Sequence, residues 1–431
     1  MICDNLSVNS NGHLEFAGQD TVELAKKYST PLYLLDEEKI REKCRIYKNA
    51  MKKAFGENSY PLYAGKALCI KDIYRIMREE GMGIDVVSCG EIYTAKAGGF
   101  DLQKAYFHGN NKTDENIAFA MENGVGVFVC DNEEELFAIS REAKKRGINQ
   151  NILIRVAPGI DPHTHKAIST GSVDSKFGVA IETGQAKLLV SQALKSDNVS
   201  LLGYHCHIGS QIFETQPFLD ACEIMLSFSK EMKDAFGFEA TQINLGGGMG
   251  VPYLESHEKI DYEKNILEIA SHMKEVADKL GLKMPDVRME PGRSIVADAG
   301  MTLYTAGTLK SIPNFRNYVS IDGGMPDNPR YALYESPYTV VSAARMNEEK
   351  NTPCTIAGMC CESGDLIQEN VYLPFPKRGD ILAVLTTGAY NYSMASNYNR
   401  VPRPAMVLLN KGQNKLIVRR ETFEDLLRNE L

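Results

Sequence analysis

Tyr60-Pro61-Leu62-Tyr63-Ala64-Gly65-Lys66-Ala67 is a short apolar run that delivers a lysine at its end, with small residues around it. A lysine closing a buried strand, with space cleared beside it, has the character of a nucleophile toward a carbonyl group. A solvated lysine after a strand is the plainer alternative. The pattern that this stretch begins decides the fold. Strand-like runs recur at Leu62–Ala64, Ile84–Ser88, Ala105–His108, Val125–Val129, Ile152–Val156, Leu202–His207, Gln242–Leu245 and Val287–Glu290. Helix-like runs alternate with them: Lys71–Glu80, Glu91–Ala97, Asp114–Met121, Glu133–Lys145, Thr183–Ala193, Pro217–Ala235 and Tyr262–Leu280. Eight such repeats over roughly 250 residues predict a TIM-like (β/α)8 barrel. A doubly wound sheet is the alternative, weakened because no strand runs into a dinucleotide-type GxGxxG turn.

Outward from the barrel, the pattern changes. Asp36 is a good N-cap for a charged helix reaching about Phe55, and Pro31–Leu35 reads as a buried strand before it. After Arg293 the alternation stops. Short β-branched and aromatic runs occur at Thr302–Tyr304, Tyr318–Asp322, Tyr338–Val341, Thr355–Ala357, Ile381–Leu385, Ala405–Leu409 and Lys415–Val418, separated by Gly, Pro and Asn. The expectation is an α/β chain with a barrel over 36–298 and an all-β domain over 299–431. Residues 1–35 complete that second domain, with the strand near Leu32–Leu35 joining its sheet.

The totals describe a globular protein of 431 residues, 43% hydrophobic and 24% charged. A net charge of -8 and a pI near 5.6 argue against nucleic-acid or anionic-membrane partners. Ten cysteines without metal-type CxxC pairs or a secreted spacing predict reduced thiols. The start of the chain lacks a signal-peptide pattern, and no apolar run suggests a membrane span. A cytoplasmic location is expected.

In such a barrel the chemistry gathers at the C-terminal strand ends. There the sequence offers Lys66; Asp85 with Cys89-Gly90-Glu91 beyond; and His108-Gly109-Asn110-Asn111-Lys112. It also offers Arg155 followed by His163, His165 and Asp174–Gly178; His205–Gln211 with Ser210; Gly246-Gly247-Gly248; and Glu290-Pro291-Gly292-Arg293. Three successive glycines expose backbone N–H groups, as a phosphate requires, or form an ordinary turn. His205 and His207 alternate along a strand. They read as core histidines, as a flat ring against a planar cofactor, or as two metal ligands. No carboxylate or third ligand is evident near them, so no metal is expected. Glu290 is either a partner for a pyridinium-type nitrogen or an ion-pair partner of Arg293. Arg293 itself is an ion-pair member or a carboxylate clamp. Beyond the barrel, Cys360–Asp365 and Gly388–Ser393 are compact polar runs after apolar strands.

These motifs, in this order, resemble the diaminopimelate decarboxylases, fold-type III enzymes dependent on pyridoxal 5'-phosphate and related in fold to the alanine racemases. The match runs over about residues 30 to 405. The resemblance implies decarboxylation of meso-2,6-diaminopimelate to L-lysine and CO2, the last step of lysine biosynthesis. It also implies a homodimer with shared active sites. Lys66 would bond to the cofactor and His207 would stack on its ring. Ser210, Gly246, Gly247, Gly248, Gly292 and the Arg293 backbone would hold its phosphate. Asp85 would line the cofactor, Glu290 would bind the pyridine nitrogen, and Tyr390 would lie near phosphate and substrate. Arg293, Arg330 and Tyr334 would bind the distal carboxylate. Cys361 and Glu362 would come from the other subunit, Glu362 binding the distal ammonium. Cys361 and Lys66 are the candidate acids. Tyr331 stands where the family usually has proline, which leaves Arg330 and Tyr334 in place. Related ornithine and arginine decarboxylases tend to have aspartate where this chain has Glu362. The alternatives are a sibling decarboxylase acting on carboxynorspermidine, a D-amino acid or a carrier-bound amino acid, and a catalytically dead regulator; the presence of both Lys66 and Cys361 weighs against the second.

Overall fold

The computed structural model describes residues 1–160 and 174–431. His163 and His165 therefore lie outside the described residues. The chain divides into two compact units. One comprises Lys43–Gly250 and Ile260–Gly292, the other Met1–Glu42, Val251–Lys259 and Arg293–Leu431.

The first unit is a closed barrel of eight parallel strands. They are β1 (Tyr60–Ala64), β2 (Gly83–Val86), β3 (Ala105–Phe107), β4 (Val127–Cys130), β5 (Gln150–Ala157), β6 (Val199–His205), β7 (Gln242–Asn244) and β8 (Asp286–Met289). Each pairs with the next, and β8 returns to β1 through Arg288↔Tyr60 and Met289↔Pro61. Closure pairs each of the eight strands on both sides, and a two-residue strand, Val179–Ala180, adds onto Val156–Ala157. Several strands stop short of the expected ends, because the polar residues beyond them are taken by other partners. Ser88, expected within β2, instead caps the next helix by accepting the Glu91 N–H at 3.2 Å. Helix Glu133–Arg146 illustrates how the sequence sets the outer elements. Asn132 caps it, three glutamates fill its first turn, three basic residues its last, and Gly147 ends it in a left-handed conformation.

The second unit carries a seven-strand path. Its order is Leu366–Leu373, Thr352–Ala357, Arg316–Ile321, Gly300–Ile312, Leu32–Asp36, Ala405–Asn410 and Gln413–Val418. Ile381–Leu385 also pairs with Gly300–Ile312 and with Val340–Ser342. The N-terminal strand sits inside this sheet, antiparallel to Gly300–Leu303 and parallel to Ala405–Leu409. Alternate residues of these strands form one core: Leu32, Leu34, Met301, Leu303, Val407 and Leu409, joined by Leu14 and Phe16 from a small N-terminal sheet. Leu366–Leu373 is a strand that the hydrophobic pattern does not predict. Its centre, Gln368-Glu369-Asn370, is polar and part-exposed and masks the pattern.

The segment Val251–Lys259 interrupts the expected 36–298 span by belonging with the β unit. Its tie is polar: Thr339 Oγ1 donates to the Tyr253 carbonyl at 2.8 Å, and the Tyr253 hydroxyl is bonded to Arg293 and Arg330. The unit boundary after Gly292 likewise falls earlier than residue 298.

Two neighbouring barrel strands approach closely at a glycine. Gly203 in β6 has φ +153°, and a Cβ there would lie 1.9 Å from the Gln242 carbonyl oxygen of β7. Gly203→Ala is expected to destabilise the protein by about 1–3 kcal/mol through forced strand separation, read as a lowered thermal midpoint. An unchanged midpoint would contradict the packing described.

Candidate active site

The barrel mouth is organised around a buried carboxylate. Glu290 lies just past β8, and its N–H is held by the Gly246 carbonyl at 2.8 Å. Asn244 Nδ2 donates to Oε1 at 2.7 Å, His205 Nε2 lies 3.2 Å from Oε2, and His108 Nε2 lies 2.9 Å from Oε1. The two imidazoles pack edge to face, with centroids 4.7 Å apart. Burial opposes charge on Glu290, but the two histidines outweigh it and hold the carboxyl well below its ordinary range. Burial pushes His205 down to about 3. Its ring is therefore neutral at physiological pH and donates to Glu290 from Nε2.

Spacing along the chain places no carboxylate near His205. The fold supplies one, Glu290, together with His108, and their ligand atoms lie within 4.8 Å of one another. These residues sit on three different strand ends, so the linear sequence conceals the cluster.

The glycine run also differs from its simplest reading. Gly246 donates its N–H to Asn244 Oδ1 at 2.9 Å, and Gly247 donates to His207 Nδ1 at 3.2 Å. Only the Gly248 N–H makes no hydrogen bond to a described residue. The glycines are required for close packing as well. A Cβ at Gly247 would lie 2.2 Å from the Glu290 carbonyl, and one at Gly246 would lie 2.5 Å from the Cys206 carbonyl, with φ +69° in addition. His207 is half-buried, and desolvation, followed by the charge of Lys66, pushes its pKa well below the usual value. Ser210 is half-buried at the end of the same loop.

Lys66 is exposed in a single tight turn, Gly65–Ala67, directly after β1. Pro291 and Gly292 back that turn: Ala64 donates its N–H to the Pro291 carbonyl at 3.1 Å, and a Cβ on Gly292 would meet Ala64 at 2.9 Å. Asp85 is buried. Desolvation raises its pKa, and its Oδ1 has no hydrogen-bond partner among the described residues.

Glu91 and Arg155, which the sequence marks only as lying at or beyond strand ends and gives no role, are also buried at this end of the barrel. Glu91 accepts the Val87 N–H at 2.7 Å, lies against Gly65, and is pushed by burial to about 7. Its position three residues after Ser88 reads as a helix capping box, which disguises it. Arg155 is buried with its guanidinium 4.4 Å from the Phe177 ring centroid.

The second unit gathers the remaining candidates. Arg330 opens a short helix, Arg330–Tyr334, that carries half-buried Tyr334 one turn on. Arg330 is buried, and its guanidinium donates to Tyr253 at 3.1 Å, Tyr338 at 3.0 Å and Ser336 at 3.0 Å. All three acceptors are hydroxyls, and among the described residues no carboxylate pairs with it. Arg293 donates to the same Tyr253 oxygen at 2.8 Å and sits 4.8 Å from the Tyr390 ring centroid. Burial alone would raise the Tyr253 phenol; the two guanidiniums outweigh it and hold it below its usual pKa. Tyr253 is likewise silent in the sequence, because it falls in an apolar loop that carries no motif. Tyr390 itself is left-handed, with φ +64°, a strained conformation for a tyrosine. Cys361 and Glu362 stand on an exposed turn, with the Cys361 N–H held by Asn399.

A family model described as pyridoxal-dependent decarboxylase, pyridoxal binding domain, matches residues 37–297. The diaminopimelate decarboxylase of Bacillus subtilis is 44% identical over 423 residues, covering 98% of this chain and 96% of the relative. The chain belongs to the diaminopimelate decarboxylases. The Bacillus methanolicus diaminopimelate decarboxylase is 46% identical, with 96% of both chains covered. A crystal structure of the M. jannaschii diaminopimelate decarboxylase with L-lysine superposes with a TM-score of 0.93 at 35% identity, covering 100% of this chain and 98% of that one.

The barrel mouth fits the cofactor of this family. A buried Asp85 oxygen without a hydrogen bond, an unengaged Gly248 N–H and a glycine run too tightly packed for side chains provide polar contacts and a bare backbone surface. Glu290 Oε2 retains acceptor capacity for one more N–H.

Glu91 gives a pH test of this environment in the cofactor-free protein. Its raised pKa means that the fold favours the protonated form. Its stabilising contribution is full below the ordinary value of 4.5 and is lost as pH rises through about 7. The size is on the order of 3 kcal/mol. Glu91→Gln is expected to gain stability relative to the parent as pH climbs through that window. Parallel stability–pH curves would exclude a buried, raised Glu91.

Proposed function

We infer that this chain catalyses the pyridoxal phosphate-dependent decarboxylation of meso-2,6-diaminopimelate to L-lysine and CO2, the closing step of lysine biosynthesis. Family membership over nearly the whole chain supports the reaction. The observation that carries the substrate assignment is Arg330, a buried guanidinium whose partners among the described residues are hydroxyls and include no carboxylate. A buried cation of this kind is costly until an anion meets it. A substrate with a second carboxylate supplies that anion; ornithine or lysine does not.

When bound, the cofactor supplies an electron sink for the pair left behind as the carboxylate departs. The chain's residues do the rest. Lys66 would hold the cofactor covalently through its amine. Glu290, charged and held by Asn244 and the neutral His205, would accept a hydrogen bond from the pyridine nitrogen and favour its protonated form. Ser210, the Gly246–Gly248 and Gly292 backbone, the Arg293 backbone and Tyr390 would hold the phosphate, and Asp85 and His207 would line the ring.

The product retains one amino-acid centre of L configuration. The carboxylate lost is therefore the one on the D centre of the meso substrate, and the L centre is the end that must be gripped. Arg293, Arg330 and Tyr334 bind its carboxylate, and Glu362 binds its ammonium. One proton is consumed for each CO2 released. Cys361 or Lys66 delivers it to the carbon that loses CO2. The exposure of Cys361 and Glu362 in a single chain supports a homodimer in which each subunit lends this pair to the other's site. Among the described residues no helix is long and apolar enough to cross a membrane, and the enzyme is proposed to work in the cytoplasm.

Purified enzyme with pyridoxal phosphate should release CO2 and L-lysine from meso-diaminopimelate, and do so far faster than CO2 from lysine, ornithine, carboxynorspermidine or D-amino acids. Equal rates across that panel would sink the assignment. Lys66→Ala should lose both turnover and the yellow colour of the bound cofactor. Arg330→Ala should lower kcat/KM for diaminopimelate on the order of 10²–10³-fold, mainly through KM. An Arg330→Ala enzyme with unaltered KM would remove Arg330 from the carboxylate site.

A further inference from the structure

Asp365 has no part in the chemistry of decarboxylation, yet it is buried at 2% exposure in the wall behind the Cys361–Glu362 turn. Its two carboxylate oxygens face different stretches of chain. Oδ1 accepts the Met325 N–H at 2.5 Å, and Oδ2 accepts the Cys360 N–H at 2.8 Å. The Asp365 carbonyl accepts the Gly358 N–H at 2.8 Å, and its own N–H donates to the Glu362 carbonyl at 3.0 Å. Met359 adds a further bond to the Gly323 carbonyl at 2.9 Å.

The space around the carboxylate is minimal. A Cβ on Gly358 would lie 2.1 Å from Oδ2, and one on Gly324 would lie 2.5 Å from Oδ1. The Gly324 side of this contact continues toward the substrate helix. Gly324 donates to Asp327 Oδ1 at 3.0 Å, and its carbonyl receives the Asp327 and Asn328 N–H groups at 3.0 and 2.8 Å. Tyr304 and Tyr33 grip Asp327 in turn. Arg330 begins the helix three residues later.

We propose that Asp365 is a positioning residue for the decarboxylase, whose carboxylate fastens the turn carrying Cys361 and Glu362 to the segment that delivers Arg330. This rests on the proposed decarboxylase function. In the shared-site dimer, Arg330 serves the chain's own site and Glu362 serves its neighbour's. Asp365 therefore registers one chain's contributions to two sites against each other. Two N–H donors aim at two separate oxygens, so the task needs a carboxylate. Asparagine has one acceptor oxygen and in either orientation leaves one donor facing an NH2 group. Glutamate has no room between the two glycines. Cys360 belongs to the fastening through its N–H, and burial and then the adjacent Asp365 push its thiol up to about 12.

The test is a double-mutant cycle on the holoenzyme, reading KM and kcat for meso-diaminopimelate. Asp365→Asn is expected to raise KM on the order of 10-fold. Glu362→Ala should raise it at least as much. In the Glu362→Ala background, Asp365→Asn should raise KM by a clearly smaller factor than in the parent, since one of the two substrate-binding groups it registers is gone. Gly358→Ala pushes the same junction apart without removing the charge, and it should follow the same pattern should Asp365→Asn not fold. A KM within twofold of the parent for these variants would overturn the proposal, as would an increase that persists undiminished without Glu362. Both outcomes leave the parent enzyme's activity intact. A parent enzyme inactive on diaminopimelate would instead refute the functional reading.

Discussion

Keeping the Glu290 carboxylate charged inside the barrel is the constraint on which the active-site half of this protein depends. An isolated buried carboxylate would take up a proton, so donors must converge on it from several strands. Asn244 comes from the end of β7, His205 from the end of β6 and His108 from beyond β3. The same Asn244 also holds the Gly246 N–H, and the bare backbone of Gly247 lies against the Glu290 carbonyl. The donor set and the glycine turn are thus one construction. Enlarging Gly247 would push away the Glu290 backbone carbonyl it borders, and with it the base of that side chain.

The second unit handles charge in the opposite sense. Arg330 and Arg293 are buried cations among tyrosine hydroxyls and ring faces, with Tyr253 shared between them. At Arg330 the hydroxyls satisfy the N–H geometry without a carboxylate among the described residues, so the preference for an anionic partner is retained there. A glutamate in place of Tyr253 would form a tighter ion pair and, by doing so, remove the reason for a dicarboxylate substrate to be chosen.

Most of the architecture is legible in the sequence because it rests on periodicity. Eight short apolar runs with intervening helices specify a barrel, and the strand Leu32–Asp36 takes its expected place in the second sheet. Strand ends are misjudged where polar residues such as Ser88 leave the ladder to cap helices. Lys66, Gly246–Gly248 and Glu290 stand out as candidates in the sequence because each follows a local motif. The site is not legible where partners converge from distant strand ends, as with His108 and Glu290. It is also hidden where a residue carries a plausible local role: Glu91 looks like a capping glutamate, and Tyr253 looks like a loop aromatic. Leu366–Leu373 escapes because a part-exposed strand with a polar centre lacks the apolar signal of a buried one.

The strand Leu32–Asp36 has a consequence for how the protein is made. All five of its residues are buried, and its hydrogen-bonding partners are Gly300–Leu303 and Ala405–Leu409. A ribosome releases the N terminus first. The whole barrel sequence, ending at Gly292, emerges before either neighbour of this strand exists. Throughout that interval Leu32-Tyr33-Leu34-Leu35 is an apolar segment with unsatisfied backbone, the kind of stretch that recruits chaperones or pairs with other nascent chains. Completion of the second sheet is thus timed by the last strands to be synthesised. C-terminal truncations that remove Ala405–Asn410 strip one flank from an interior strand some 370 residues upstream, and so threaten solubility well beyond the segment they delete.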